Sequence, residues 1–497
     1  MDRSADPCVD FYQYACGGWM KANPVPDWTA TWDRLALLRE SVMRDMRQLL
    51  DSGKNFNKDN ITEPEGIRKA RSFYKSCMNT SEYLRGGLCI IEQTSPGFGE
   101  KYFLHTEKFL TELKHYKNHL TLMTSAYISG SVREEFSDDI LQFSTQIAKA
   151  MTPPEKRRSS THLFHEVTLQ QLVSGPASNN ASWKIALEML EDIKYAFKIA
   201  IEDLNWMDYV TREKTLTKLH AIRAFVGYPG WIMNATQLDK HYKNANVVND
   251  NYFTSFLNLA NSLVKKKLER LREKPNKNRW VSAATTVNAF YSATLNSVTF
   301  PAGILKPPFY DNGIPALDYA AIGAIMGHEI THGFDDQGRR YDENGNLKQW
   351  WSTATLMHYQ EKVECIIKQY NNYWMPDLGP MYAVNGFNTQ GENIADNGGL
   401  RAAYEAYKHR KQKSAIMDQR LPGLLDITTD QLFFLGFAQI WCGNCTVGAL
   451  KSRLLDGVHS PNRIRVIGTL SNMKEFSVAW KCPRDSPMNP LNKCILW

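Results

Sequence analysis

The sequence predicts a mainly α-helical protein with two lobes and a few short strands. Apolar residues recur at helical spacing through much of the chain. Strand signals are confined to residues 281–291 and 295–300, which a polar, turn-like step separates. With 497 residues, the chain is long for one hydrophobic core, so we expect two lobes rather than one.

The helices are predicted from apolar residues that lie three or four positions apart. The first helix, for example, places Leu35, Leu38, Val42 and Met46 on one face. In chain order, the predicted helices cover residues 33–50, 185–204, 207–225, 253–271, the apolar run 319–326, 352–370, 392–411 and 431–441. Turn-forming residues predict loops at 51–65, 152–161 and 174–180.

Composition excludes several classes of function. The chain is 43% hydrophobic and 22% charged, which is ordinary for a folded protein. The net charge of +7 is modest for this length, and the basic run 265–279 is best explained as the solvated face of a helix, so nucleic-acid binding is not expected. The longest apolar candidate, 432–441, has the length of a buried helix rather than a membrane span. No signal peptide is recognised at Met1.

Cysteines and glycosylation sequons indicate an oxidising compartment. The nine cysteines cluster at the two ends of the chain. They are Cys8, Cys16, Cys77, Cys89, Cys365, Cys442, Cys445, Cys482 and Cys494. Sequons of the N-x-[ST] type occur at Asn60, Asn79, Asn180, Asn234 and Asn444.

A metal-binding motif follows the apolar run 319–326. His328 and His332 lie four residues apart, so on a helix they share one face and can hold one metal ion through their imidazoles. Glu329 lies beside the metal rather than on it, where a carboxylate can take a proton from water. The alternative is two histidines on an ordinary helix face.

A second motif lies about sixty residues further on. Glu392 and Asp396 are again four residues apart and share a helix face. Glu392 would complete the three-ligand set typical of catalytic zinc, and Asp396 suits a carboxylate that accepts the free ring N–H of a ligand histidine. An ordinary solvated helix face is the alternative, but the small and apolar residues around Gly398 and Gly399 favour close packing.

At this point the chain resembles the neprilysin-type zinc endopeptidases, which include the endothelin-converting enzymes. The matching segments are residues 6–12, 14–19, 287–291, 300–305, 328–336, 385–400, 458–461 and 494–497. The resemblance is near-continuous from about residue 183 to the end, good over 6–80, and weaker from about 90 to 172.

The resemblance implies a zincin-type fold of two mainly α-helical lobes that enclose a cavity. Residues 1–50 are expected to pack on the catalytic lobe, residues 51–275 to form a helical cover lobe that is shorter than in the family, and residues 276–497 to form the zinc catalytic lobe. The implied disulfides are Cys8–Cys482, Cys16–Cys442 and Cys365–Cys494, which leaves Cys77, Cys89 and Cys445 over.

The resemblance also implies roles for the site residues. One zinc ion is expected on His328, His332 and Glu392. The expected catalytic residues are Glu329 as general base, His459 as the group that stabilises the oxyanion, and Asp396. Arg465 is expected to bind a substrate carbonyl and brace the site. A loop histidine and a surface arginine are the alternatives for His459 and Arg465.

Further positions resemble the family's substrate-binding residues. Asn288 and Ala289 match its clamp for the substrate backbone. The wall of an apolar pocket is matched by Ile304, Phe309, Ile325, Ile440 and Trp441, although any of these five residues could simply belong to the core. Two positions depart from the family: Gly457 stands where an acidic residue usually precedes the histidine, and Thr31 replaces an arginine that grips substrate carboxylates.

These observations predict a zinc-dependent endopeptidase that hydrolyses small extracellular peptides. Because the cover lobe is short, the alternative is a weakly active or inactive ectodomain that binds peptides or partners; a structural zinc protein is less favoured, since three ligands leave a position open. The expected location is the extracellular face of the plasma membrane or the medium. Membrane attachment is expected only through an N-terminal anchor that is absent from this chain.

Overall fold

Helices dominate the architecture, and the strands are few and short. The computed structural model describes residues 1–52, 63–78, 180–311, 313–413, 420–421 and 423–497. The loop predicted at 152–161 lies outside these residues, as do most of the loops at 51–65 and 174–180. Within the described residues, the mainly α-helical class is confirmed.

The first part of the described chain contributes seven helices, of which the first two lie mainly in the predicted N-terminal segment and the rest in the predicted cover lobe. They are α1 (Phe11–Ala22), α2 (Arg34–Ser52), α3 (Glu65–Met78), α4 (Asn180–Glu202), α5 (Tyr209–His220), α6 (Ala235–His241) and α7 (Tyr252–Glu269). Asp10 and Asp208 begin α1 and α5 by accepting hydrogen bonds from the amides of Gln13 and Thr211.

The second half carries the helices around the metal motif. They are α8 (Pro315–Asp318), α9 (Ala324–Thr331), α10 (Thr353–Asn371), α11 (Gln390–Lys413), α12 (Thr429–Ile440), α13 (Val447–Asp456), α14 (Asn462–Ser471) and α15 (Lys474–Ala479). The apolar run predicted as helix at 319–326 begins with one π-helical stretch, Tyr319–Gly323, before α9. The predictions at 352–370, 392–411 and 431–441 are confirmed with small shifts at the ends.

In the part of the chain that the structure describes, five short strands form two sheets. Strand β1 (Thr31–Asp33) pairs antiparallel with β5 (Gly443–Cys445). In the other sheet, β2 (Arg223–Gly227) pairs parallel with β4 (Ser297–Pro301), which pairs antiparallel with β3 (Phe290–Ser292). The order β2–β4–β3 leaves β3 at an edge.

Two predicted elements were wrong in part. The helix predicted at 207–225 ends at His220, because the following residues 223–227 pair with β4 instead of continuing the helix. The strand predicted at 281–291 is extended only from Phe290 onward. Its earlier part folds over the turn after β4, where Gly303 donates a hydrogen bond to the carbonyl of Ala284, 2.9 Å away.

Disulfides attach the N-terminal segment to the C-terminal half. Cys8–Cys482 and Cys16–Cys442 fix α1, and Cys365–Cys494 joins α10 to the last residues, so all three predicted pairings are confirmed. Of the cysteines left over, Cys445 carries a free thiol. Among the described residues, no helix combines the length and apolar character needed to cross a membrane.

The two motif-bearing helices touch at their backbones. A Cβ on Gly327 would lie 2.3 Å from the carbonyl oxygen of Gly399, and a Cβ on Gly399 would lie 2.3 Å from the amide nitrogen of His328. Only glycine fits at both positions, so α9 and α11 approach each other directly beside the metal motif. Helix α4 packs against both of them. The predicted boundary between lobes at residue 275 stays a prediction.

Candidate metal centre

His328 and His332 lie one turn apart, the first in α9 and the second at its C-terminal cap. Their Nε2 atoms are 2.9 Å apart, and their rings meet at 87°. Glu392, in the first turn of α11, brings its Oε2 to 3.1 Å from the Nε2 of His328 and 3.4 Å from that of His332. The sequence spacing therefore places all three predicted ligands on facing helices.

Carboxylates on the outer side of each imidazole fix its tautomer. The Nδ1 of His328 lies 2.8 Å from Asp396 Oδ1, and the Nδ1 of His332 lies 2.6 Å from Asp335 Oδ2. An ionised carboxylate only accepts hydrogen bonds, so each Nδ1 carries the proton and each Nε2 turns a lone pair inward. Asp335 was missed by sequence reasoning, although its position three residues after His332 was a usable signal.

These donor atoms fit a zinc ion. Two imidazole lone pairs and one carboxylate oxygen face the same point, and Glu392 Oε2 is buried without a hydrogen-bond donor. Nitrogen and oxygen ligands in a set of three are typical of catalytic zinc, whereas calcium and magnesium prefer more oxygen ligands. Among the described residues, this is the group of three such side chains whose ligand atoms all lie within 4.8 Å of one another.

The electrostatics of the cluster favour positive charge. Burial alone would lower the pKa of His332, but Glu392 and Asp335 raise it well above its usual value. Burial would raise the pKa of Glu392, yet the surrounding histidines, His332 foremost, hold it well below its usual value. The carboxylates that stabilise a proton here in the metal-free protein would equally stabilise a bound cation.

Asp396 is held by a second partner behind the histidine. Arg465 donates from Nε to Oδ2 at 2.7 Å and from Nη2 to Oδ1 at 2.6 Å, and its guanidinium lies 3.9 Å from the centre of the Trp441 ring. Burial raises the pKa of Asp396, but Arg465 and His328 together lower it to about 2. Asp396 thus stays ionised and keeps His328 in one orientation.

Glu329 lies next to His328 on α9 and is buried, with 7% of its surface exposed. Its carboxylate is not part of the ligand group. Burial raises its pKa, and the neighbouring histidines only partly offset that effect. A carboxylate with a raised pKa beside a metal is suited to accept a proton and give it back.

His459 approaches the centre from the loop that follows α13. Its Nε2 lies 3.1 Å from Glu392 Oε2, and its side chain is 42% exposed. The next residue, Ser460, is buried and donates to Asn393 Oδ1 at 2.8 Å, which attaches the loop to α11. At Gly457, a Cβ would lie 2.4 Å from the carbonyl oxygen of Arg453, so the backbone leaves no room there for an acidic side chain.

The predicted substrate residues differ in how far they are exposed. Asn288 is exposed and Ala289 is buried, and both lie directly before the edge strand β3. The predicted pocket residues Ile304, Phe309, Ile440 and Trp441 are buried in the main hydrophobic cluster, and Ile325 is partly buried against it. That these residues form the wall of a substrate pocket stays a prediction. Thr31 pairs with Cys445 in the β1–β5 sheet.

Comparison with known proteins identifies the family. The models described as peptidase family M13 match residues 288–496 and, for the N-terminal part, residues 7–89 and 176–229. Endothelin-converting enzyme 1 of Rattus norvegicus is 32% identical over 669 residues, covering 100% of this chain and 86% of that protein. The endothelin-converting enzyme homolog of Locusta migratoria is 31% identical over 677 residues, covering 100% of this chain and 92% of that protein.

A solved structure shares the fold. The zinc metalloprotease ZMP1 of Mycobacterium tuberculosis, in complex with an inhibitor, matches with a TM-score of 0.68 and 21% identity, covering 100% of this chain and 98% of that chain. These matches confirm the predicted resemblance and the zincin-type, mainly α-helical class. The chain belongs to peptidase family M13, and it is a zinc metalloendopeptidase.

Proposed function

We propose that this protein cuts small extracellular peptides internally, using one zinc ion held by His328, His332 and Glu392. The observation that carries the proposal is the convergence of two imidazole lone pairs and a carboxylate oxygen, with the buried carboxylate of Glu329 alongside. Bound there, zinc would lower the pKa of a coordinated water and polarise the scissile carbonyl.

Glu329 supplies the proton transfers. Burial raises the pKa of Glu329 toward neutral pH. A carboxylate with such a pKa can both accept the proton of the attacking water and return it to the leaving amine. Its place next to a ligand on the same helix fixes its distance from the reacting atoms. Glu329 therefore acts first as base and then as acid.

His459 acts on the opposite side of the reacting carbonyl. It reaches Glu392 through Nε2, so its ring edge faces the centre. A donor in this position stabilises the negative charge that develops on the carbonyl oxygen. Arg465 donates two hydrogen bonds to Asp396, which in turn keeps the orientation of His328. The predicted contact to a substrate carbonyl would use the remaining nitrogen of the Arg465 guanidinium.

The substrate would lie along β3. Among the described residues, this strand pairs on one side only, so an extended peptide can pair with its other edge, with Asn288 as an exposed polar group just before its start. Thr31 offers no cation for a C-terminal carboxylate, which favours cleavage within a peptide over release of its last residues. The disulfides fit an oxidising environment, so we place the protein at the cell exterior or in the medium.

The test separates metal binding from chemistry. Glu329→Gln keeps the size of the side chain and removes the base, so hydrolysis of a quenched peptide should fall by on the order of a hundredfold or more while zinc content stays the same. Glu361→Gln, at a carboxylate that is 71% exposed, is the matched control and should change neither quantity.

Two outcomes would count against the proposal. Full activity in Glu329→Gln would exclude Glu329 as the base. A wild-type protein that binds one zinc ion and a peptide but hydrolyses no peptide of any tested length would favour the alternative, a binding ectodomain.

A further inference from the structure

Lys218 is a fully buried lysine, with 0% of its surface exposed, on helix α5. Lysine is almost never buried this completely unless its ammonium is fully hydrogen-bonded. Here Nζ donates to the carbonyl oxygens of Gly333, Gly338 and Tyr341 at 2.6, 2.7 and 2.7 Å. The proposed hydrolysis does not use this group, so its burial requires another explanation.

The three acceptors belong to one loop, which we call the brace loop (residues 333–341). It begins directly after the predicted ligand His332. The brace loop wraps around two charged groups. The ammonium of Lys218 donates to three of its carbonyl oxygens. The carboxylate of Asp335 accepts hydrogen bonds from the amides of Gln337 and Gly338 at 2.9 and 2.6 Å. One loop is thereby fixed by a cation and an anion.

Gly338 connects the two charges. Its amide donates to Asp335, and its carbonyl accepts from Lys218. A Cβ there would lie 1.7 Å from the carbonyl oxygen of His332, so the loop passes over the ligand residue at a distance that only glycine permits. The other oxygen of Asp335 accepts from His332 Nδ1. An unbroken series of contacts therefore runs from Lys218 to the metal ligand.

The chemistry of this position favours lysine. An ammonium presents three donors from one atom, which matches three converging carbonyls; no other side chain does this. Its charge is further stabilised by the rings of Phe334 and Trp350, at 5.3 and 5.8 Å. Desolvation is costly even so, and it lowers the pKa of Lys218 to about 7 against the opposing effect of Asp335 and other carboxylates. Because burying the ammonium of Lys218 costs free energy, we look for a function that this ammonium serves.

We propose that Lys218 is a positioning residue of the metal centre: it fixes the brace loop so that Asp335 holds His332 in the orientation that binds zinc. The inference rests on the proposed zinc site. Without the ammonium, three carbonyls lose their donors and the brace loop relaxes. Asp335 then no longer sits at a fixed distance from Nδ1, and the imidazole loses its preferred orientation.

The experiment measures zinc affinity by competition with a chromophoric chelator at constant pH. Lys218→Met keeps the length of the side chain and removes the donors; zinc affinity should fall by about tenfold to a hundredfold, as for other residues that orient ligands. Leu219→Ala is the matched control: this neighbour on α5 is 1% exposed, so its truncation lowers the melting temperature while leaving the brace loop bonded. Its zinc affinity should stay within about twofold of wild type.

A double-mutant cycle with Asp335→Asn shows whether the effect passes through Asp335. If it does, Lys218→Met adds less than about threefold once Asp335→Asn is present, because the shared series of contacts is already broken. The absorption spectrum of the cobalt-substituted protein provides a second readout, since it changes with ligand geometry. Should Lys218→Met fail to fold, Lys218→Gln, which keeps two donors, should show an intermediate loss.

The inference is overturned by equal losses in Lys218→Met and Leu219→Ala, by additive effects in the cycle, or by wild-type zinc affinity in every folded Lys218 variant. Absence of zinc binding by the wild-type protein is a different result: it would refute the proposed zinc site itself.

Discussion

The metal side and the substrate side of the candidate centre are held in different ways. On the metal side, His328 and His332 each donate to a buried carboxylate, and each carboxylate has further donors of its own. On the substrate side, His459 extends from a loop, is 42% exposed, and touches the centre through Glu392. The first arrangement is complete without substrate, whereas the second leaves His459, the predicted donor to the oxyanion, free to adjust.

The difference has a structural origin. The predicted ligands come from two helices whose backbones meet at Gly327 and Gly399, so their positions are set by the core. His459 follows the end of α13, where Gly457 leaves no space for an acidic partner. Rigid elements position groups more accurately than loops do. We therefore expect metal binding to tolerate changes on the substrate side, and substrate turnover to depend on both sides.

The largest effect should come from breaking the metal side. Glu392→Ala removes one of three ligands, and two imidazoles rarely suffice to hold zinc. Because changes around a ligand already cost about tenfold to a hundredfold, loss of the ligand itself should weaken zinc affinity by at least about a thousandfold. Elemental analysis after dialysis measures the zinc content. Glu405→Ala, at an exposed position of the same helix, should keep its zinc. Near-stoichiometric zinc in Glu392→Ala would contradict the ligand assignment.

Changing the substrate side should give the opposite pattern. His459→Ala removes the predicted donor to the oxyanion, so kcat should fall by about a hundredfold to a thousandfold. Zinc content should remain that of wild type, because the metal ligands keep their own partners. His358→Ala, at a histidine that is 54% exposed, is the control and should leave kcat unchanged. If His459→Ala also loses zinc, the two sides are one unit and the comparison fails.

The same contrast explains what the sequence could predict. A spacing of four residues places His328 and His332 on one helix face, and the same spacing places Glu392 and Asp396 on one face of another helix. The sequence predicts both pairs because helix geometry is local. Asp335 was within reach of the same reasoning. The role of Lys218 was not, since it contacts a loop more than 110 residues away in sequence and only the folded chain brings the two together.

The errors in the predicted secondary structure also arise from contacts between residues that are distant in sequence. Residues 223–225 continue a helical pattern in sequence, but pairing with β4 satisfies their backbone in another way. Residues 281–289 read as a strand, yet they fold over Gly303. Local pattern predicts an element when its hydrogen bonds are internal, as in a helix, and less well when they depend on a distant partner. The pairing of cysteines across more than 400 residues came from the family resemblance.

A smaller effect should follow from separating the two ligand helices. Gly399→Ala places a methyl group 2.3 Å from the amide nitrogen of His328. Helices α9 and α11 must move apart, which should lower the free energy of unfolding by about 3 kcal/mol and weaken zinc affinity. Gly448→Ala, where nothing lies within 4 Å, is the matched control and should be neutral or slightly stabilising. Thermal unfolding with and without zinc measures both effects. Equal stability of the two variants would show that the close approach is unimportant.

The smallest effect concerns Asp208, a carboxylate outside the centre. Asp208 caps α5, the helix of Lys218, by accepting from the amide and hydroxyl of Thr211, and it also accepts from the hydroxyls of Ser352 and Thr355 at the start of α10. Asp208→Asn removes the charge that strengthens these bonds. It should lower the free energy of unfolding by about 1–2 kcal/mol while zinc affinity changes little.

The pH dependence of this effect gives a further check. Burial raises the pKa of Asp208, but the hydrogen bonds from Ser352, Thr355 and Thr211 outweigh it and lower the pKa below its usual value. A carboxylate with a lowered pKa in the folded state stabilises the protein above its unfolded pKa, about 4, and loses that contribution as the pH falls through its folded pKa. The stability difference between wild type and Asp208→Asn should therefore be full at pH 7 and shrink below about pH 4. Denaturant unfolding in the presence of a chelator, repeated across this range, measures it. A difference that grows on acidification would mean that the charge of Asp208 opposes the native fold.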